Sequence, residues 1–488
     1  MSILDGIKTK YNLLNSMMKV SFWYTFSNFM QKFVVVLSVP VITRMISATE
    51  YGMYSVYGAW FEIIYNMCTL ALASGGYYVG MKKHSDKKEK YDSSICTLCF
   101  CITSVCFLLF KLFPGIWGNL FAIPISYQLP MFVGIVLGCP RDYWAAGERY
   151  KLRYKKLVFI TLITSLGVLA TQVICIKIAP VFKITDDLAV IWGGVIPSAV
   201  VGIPILISII VKGQYFFDSE IWKETIQFNV ILIPYYMSIT LLNQIDRVMI
   251  EQFVDAAHAG YYSVAYRAAS TINILTVALN QTLMPWIFQK LERREEKEIR
   301  NVSSIVFIIP FVICLFIILL APEIIFLLSG REYLVASSII PSVAIGMCLR
   351  FVSQTFINVE MYYEKNKLIT ISTISVALLN VLLNWLLIPR FGFIWAGYTT
   401  LICFLIQAII QSCILSNVLH IGYIFNLRYI WACIVITIIL GIVLESFYDL
   451  LIIRYIIFVF ILISIFLKRE IILLEITKII KNKFRGIQ

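Results

Sequence analysis

The sequence predicts an all-α integral membrane protein of about fourteen transmembrane helices. Three observations carry that prediction. The 488 residues are 60% hydrophobic and only 14% charged, with mean hydropathy +0.85, whereas a soluble domain carries about 25% charged residues. Apolar stretches of about the 20 residues that a helix needs to cross the hydrocarbon core recur from residue 20 to residue 467. Lysine and arginine gather in alternate connections, as they do where those connections face the cytoplasm.

The spans fall near 20–43, 52–80, 93–110, 125–147, 157–176, 188–211, 227–253 and 260–288. Six more follow near 302–328, 338–361, 368–388, 393–418, 429–447 and 450–467. Residues 1–19 form an amphipathic interfacial stretch, and 468–488 a basic tail. The first span is longer than a secretory apolar region and no small-residue cleavage site follows it, so it is expected to be a retained helix. All 12 cysteines lie within spans, including Cys96, Cys99, Cys101 and Cys106. That cluster is spaced like metal ligands, but structural sites need deprotonated thiolates. Packed apolar thiols are the expectation, with no metal, no cofactor and no disulfide framework.

With the N-terminus inside, 29 of the 41 Lys and Arg fall in inner segments, 7 at outer ends and 5 within spans. Both termini are therefore expected in the cytoplasm, and the net charge of +13 expresses topology. No soluble basic face is left for nucleic acid. The longest outer loop is about 14 residues, there are three histidines, and H-E-x-x-H, D-x-D and Walker patterns are absent. Those facts count against a membrane polysaccharide polymerase, a glycosyltransferase and a directly ATP-driven pump, so no catalytic residue is assigned.

Gly52-Met53-Tyr54-Ser55-Val56 opens the second span and Gly260-Tyr261-Tyr262-Ser263-Val264 the eighth, 208 residues apart. The repeat predicts a six-helix lobe over 20–211 and another over 225–418, with 429–467 left as two appended helices. Because six is even, both lobes enter the membrane from the same side. They form a parallel repeat, the arrangement of rocking transporters.

The chain resembles, over essentially its whole length, the O-antigen and polysaccharide repeat-unit flippases of the multidrug/oligosaccharidyl-lipid/polysaccharide exporter superfamily. The resemblance rests on Pro40 to Gly52 with its Glu50-Tyr51-Gly52 turn and on Asp246-Arg247 running to Gly260-Tyr261-Tyr262. It rests also on Ile388-Pro389-Arg390-Phe391-Gly392 running to Ala396-Gly397. It implies a MATE-like pair of lobes around a central cavity that opens alternately to either side. The implied substrate is an undecaprenyl-pyrophosphate-linked oligosaccharide, moved outward across a bacterial inner membrane for surface polysaccharide synthesis. Beside the lipid bilayer and that substrate, other polysaccharide assembly proteins stay open as partners.

Five cations lie within spans: Lys32, Arg141, Arg247, Arg267 and Arg350. Each costs about 2.5–3.5 kcal/mol at the bilayer centre on insertion scales, so each asks for a cavity or a partner. Arg141 adjoins Asp142, and Arg247 adjoins Asp246 with Glu251 at i+4, the spacing of a helical ion pair. Those residues and Glu62 are candidates for ion pairing or coupling. Lys32, Arg267 and Arg350 have no acid within four residues, which makes them candidates for holding the anionic headgroup of the substrate, Arg by its planar fork of donors. The competing reading pairs these cations with Glu62, Glu360 or Glu445 across helices. Asn and Gln recur within spans, among them Asn66, Asn243, Gln244, Asn380 and Asn384; they suit sugar hydroxyls and equally suit bonding between helices. A drug or cation antiporter of the same superfamily stays open as the alternative function.

Overall fold

The computed structural model describes residues 16–467 except 75 and 122–123. Of the expected interfacial stretch only residues 16–19 are described, as the start of the first helix, and the tail at 468–488 lies outside the described residues. The helices are α1 (Ser16–Ile42), α2 (Ala48–Cys68), α3 (Gly76–Lys83), α4 (Lys88–Leu112), α5 (Pro114–Phe121), α6 (Gln128–Tyr150), α7 (Tyr154–Phe182), α8 (Asp186–Gly213) and α9 (Ser219–Phe253). They continue as α10 (Ala256–Ala269), α11 (Ile272–Glu292), α12 (Glu296–Leu319), α13 (Ala321–Ser329), α14 (Ile339–Tyr362), α15 (Asn366–Phe391), α16 (Trp395–Cys413), α17 (Leu427–Glu445) and α18 (Leu451–Leu467). Among the described residues nine helices are long and apolar enough to cross a membrane. The chain is a multi-pass membrane protein, helical because only a helix or a closed barrel satisfies its own backbone in lipid.

Each of the fourteen expected spans falls on helix, but three are broken. The second divides into α2 and α3, where Thr69 Oγ1 bonds back to Tyr65 O at 2.7 Å and Leu70 and Ala71 follow with φ of 52° and 48°. The eighth divides into α10 and α11, where Ser270 Oγ and Thr271 Oγ1 bond back to Arg267 O (3.0 Å) and Ala268 O (2.7 Å). Hydroxyls bonded to nearby carbonyls offer the backbone an alternative to the helical ladder. The ninth divides at Leu320, and Pro322 opens α13, because proline fits a first turn and cannot continue a helix. Helix starts are capped where the chain turns sharply. Ser47 Oγ accepts from Glu50 N at 3.2 Å while Glu50 Oε2 accepts from Ser47 N at 2.9 Å, a capping box that opens α2.

The described residues form two compact units. One comprises the chain to Val264 with Thr373–Ala396, and the other comprises Ala265–Ser372 with the residues from Gly397. In the first, α8 packs against α6, α7 and α4, and α9 packs against α2. The repeated pentapeptides meet there: a Cβ on Gly52 would overlap the carbonyl of Ala256, and one on Gly260 would overlap the carbonyl of Ala48. Only glycine permits so close a backbone crossing. In the second unit α14 is the central helix, with 78% of its apolar window buried against 22–44% for the other long helices. Helices α11, α12 and α17 pack around it, and a helix enclosed on every side marks the core of a unit.

Candidate functional site

Polar groups on membrane-embedded helices define the site, because each must be satisfied inside the protein. In the first unit they radiate from one face of α2, where Glu62, Tyr65 and Asn66 stand at helical spacing. Tyr65 Oη donates to Asp142 Oδ2 on α6 at 2.6 Å, and Asn66 Nδ2 donates to Thr240 Oγ1 on α9 at 2.9 Å. Glu62 accepts from Gln244 Nε2, also on α9. Asp142 pairs with Arg141 at 3.2 Å, and Arg141 Nη1 reaches Ser198 Oγ on α8 at 3.4 Å. The adjacent charges therefore neutralise each other in place.

The expected pair between Arg247 and Glu251 does not form. Arg247, only 7% exposed, donates from Nη1 to Asn243 O at 2.8 Å and to Gln244 Oε1 at 2.7 Å. Glu251 enters none of the ion pairs among the described residues, and its Oε2 is buried without a donor. Gln244 explains the difference. Its amide donates to Glu62 and accepts from Arg247, so it joins an acid and a base that the sequence reading did not link. Asp246 points elsewhere. It is 0% exposed and accepts from Tyr262 Oη at 2.5 Å and from Asn384 Nδ2, on α15, at 2.6 Å. Hydrogen bonds to a charged acceptor are the strong ones, and they offset the cost of burying this carboxylate.

Arg267 and Arg350 belong to the second unit and Lys32 to the first. Arg267 is half-buried near the end of α10. Arg350 is half-buried on α14, its guanidinium carbon 5.9 Å from the centre of the Phe404 ring of α16, a cation–π distance. Lys32 is exposed on α1. Ten residues beyond Arg350, Glu360 is 0% exposed and enters none of the ion pairs among the described residues. With the Gln411 amide turned nitrogen-first toward it, that amide donates to both carboxylate oxygens, at 2.7 and 3.0 Å, and accepts from Ser372 Oγ at 3.0 Å. The sequence reading placed Arg454 at an outer end. Instead it is 4% exposed, pairs with Glu323 at 2.8 Å and donates to Leu319 O at 3.2 Å. Its position three residues into α18 was the available signal.

Comparison with known proteins shows a family and a fold. The polysaccharide biosynthesis protein family matches residues 17–291. A Haloferax volcanii protein named "Probable low-salt glycan biosynthesis flippase Agl15" is 26% identical over 184 residues, which span 36% of this chain and 39% of that protein. Among solved structures, the lipid II flippase MurJ in an inward closed conformation is similar with a TM-score of 0.69 at 17% identity, covering 93% of this chain and all of that one. The multidrug transporter DinF-BH bound to R6G has a TM-score of 0.59 at 13% identity, with 85% and 97% of the two chains covered. An inward-facing multidrug transporter of the MOP superfamily has a TM-score of 0.53 at 11% identity, with 82% and 95% covered. These likenesses show the fold.

Proposed function

Because the chain belongs to the polysaccharide biosynthesis protein family, we propose that it flips a lipid-linked anionic sugar outward across a bacterial inner membrane by alternating access. The substrate is an undecaprenyl-pyrophosphate-linked oligosaccharide, and both termini are cytoplasmic. The lobes at 20–211 and 225–418 rock against each other, with 429–467 appended. One observation carries the reading: Arg267 and Arg350 sit half-buried on two helices of one unit, Arg350 on the most enclosed helix. Cations held in a low-dielectric setting attract a compact pyrophosphate far more strongly than they would in water. The fold shared with lipid and drug transporters supports the same reading.

A drug or cation antiporter is the second reading, favoured by the buried Glu360 carboxyl and its amide partner. One experiment separates the two. Flippase complementation in vivo is measured alongside the amount of folded protein for Arg267→Ala and Arg350→Ala. Loss of a charge-assisted contact of about 1.5–3 kcal/mol should cut apparent affinity tenfold or more. Lysine should rescue in part, since the charge survives without the fork, and glutamate should be worst. A well-folded alanine variant with full activity would remove that residue from the headgroup site.

A further inference from the structure

Glu360 lies two residues before the end of α14, in the second unit, with 0% exposure. A buried carboxylate is costly unless it is paired. Among the described residues, however, no charged side chain faces it. On α11, Lys290 is held by Glu295 and Glu298. On α12, Glu296 accepts from Tyr423, and Arg300 is exposed. Lys365 and Lys367 at the start of α15, Cys413 on α16 and Arg428 on α17 are exposed as well. Arg350 stands ten residues back along α14, about 15 Å away at the helical rise, and lies over Phe404.

What faces Glu360 is the carboxamide of Gln411 on α16, itself 0% exposed, and behind it the Ser372 hydroxyl and the Ile369 carbonyl of α15. An amide carries a donor at one end and an acceptor at the other, so this chain of groups can be satisfied in two ways. With Glu360 ionised, the amide nitrogen faces it, donating at 2.7 and 3.0 Å, and the amide oxygen accepts from Ser372 Oγ at 3.0 Å. With Glu360 protonated, the amide turns over, and the carboxyl O–H donates to the amide oxygen across the same 2.7 Å, the usual length of an O–H···O bond. The amide nitrogen then donates to Ser372 Oγ at 3.0 Å, and Ser372 Oγ donates to Ile369 O at 3.0 Å. Every donor in the chain has an acceptor in both states. A lysine in place of Gln411 would serve only the ionised state. Access for a proton is short: the next residue, Met361, is 43% exposed, and helix ends open locally at low cost.

We infer that Glu360 is a proton-binding site and that Gln411 turns over with its occupancy, passing the state of the carboxyl to Ser372. The signal ends on the backbone. Ser372 bonds back to Ile369 O only in the protonated state, and such back-bonding bends a helix slightly. Ser372 is also the last residue of the second unit before the chain enters the first, so the bend falls where α15 passes from one unit to the other. Neither transport reading assigns this proton, and the site stands whichever substrate is carried.

The test uses the full-length protein in nanodiscs without substrate. Infrared difference spectra across a pH titration record protonated carboxyls by their C=O stretching band. The unsubstituted protein should show a band that grows as pH falls and is missing from Glu360→Gln. Gln411→Leu should keep the band and displace its midpoint, since the amide serves the two states through different bonds. Hydrogen exchange at the start of α15 should change over the same pH range in the unsubstituted protein and lose that dependence in Glu360→Gln. A band absent from both proteins, or one that Glu360→Gln removes but pH does not change, would fix the carboxyl in one state and overturn the inference. An unmoved midpoint in Gln411→Leu would overturn the part given to the amide. Because glutamine imitates the neutral acid, Glu360→Gln must fold, and a variant that does not would show that the charge is required and overturn the site.

Discussion

At Asp246 a carboxylate with 0% exposure depends on neighbours supplied by two other helices, Tyr262 on α10 and Asn384 on α15. Removing one of them tests how far the site relies on that support. Tyr262→Phe deletes the phenol donor at 2.5 Å and should cost about 1–3 kcal/mol, the penalty for a buried group left short of a partner. The thermal unfolding midpoint of the purified protein should fall, and Asn384→Leu should lower it similarly. An unshifted midpoint for both would show that Asp246 is satisfied by other means. The sequence marks the charged residues of this region, since intramembrane charges are rare enough to stand out. It could not identify their partners. Asn384 lies 138 residues from Asp246, and nothing in a local window distinguishes it from the other embedded amides. Glu251 attracted the pairing with Arg247 because it is near in sequence; Gln244 won because it also reaches Glu62.

At the scale of the element, hydropathy makes the long helices legible and hides their ends and breaks. The interruptions after Cys68 and Ala269 come from Thr and Ser hydroxyls that turn back onto the preceding carbonyls, residues that a hydropathy window counts as nearly neutral. Helix α9, at 35 residues the longest of the described helices, begins at an N-cap on Asp218, whose Oδ1 accepts from the backbone of Glu220 and Ile221 at 3.1 Å. Its Oδ2 lies 2.6 Å from Lys90. The Lys90 hydrogen bond, then those backbone donors and the lysine charge, hold the Asp218 carboxyl below the usual carboxylate range. A depressed folded-state pKa stabilises above the unfolded value of about 4 and is lost as pH falls through the folded value. Hydrogen exchange in the first turn of α9 should therefore accelerate below about pH 4. Asp218→Ala should accelerate the same amides at neutral pH, as expected for loss of a cap and about 1 kcal/mol, and should remove the acid dependence. Acid dependence that persists in the alanine variant would assign it to another group.

For the whole molecule, composition and the recurring apolar stretches of helix-spanning length predict an all-helical membrane protein, and the charge asymmetry of 29 to 7 further predicts its orientation. Single cysteines at Lys87 and Lys297 should react with an impermeant maleimide only after permeabilisation, and one at Lys183 in intact cells. The reverse pattern would invert the orientation and undo the parallel-repeat argument. The division into compact units was not legible in the chain. Residues 373–396 join the first unit from far along the sequence, and hydropathy carries no information about which helix packs on which.

The glycine crossing between α2 and α10 sets a clock on biosynthesis. Its two contact points are separated by 208 residues, so the face of α2 around Gly52 cannot close until the second copy of the pentapeptide has left the ribosome. At synthesis rates of about 5–20 residues per second the wait is roughly 10–40 s. For that interval the nascent amino-terminal helices sit in the bilayer with a bare strip of backbone exposed along Gly52, open to any other close-packing helix in the membrane. The protein must pass through this window each time it is made, and its vulnerability there follows from the same absence of side chains that lets the mature helices touch.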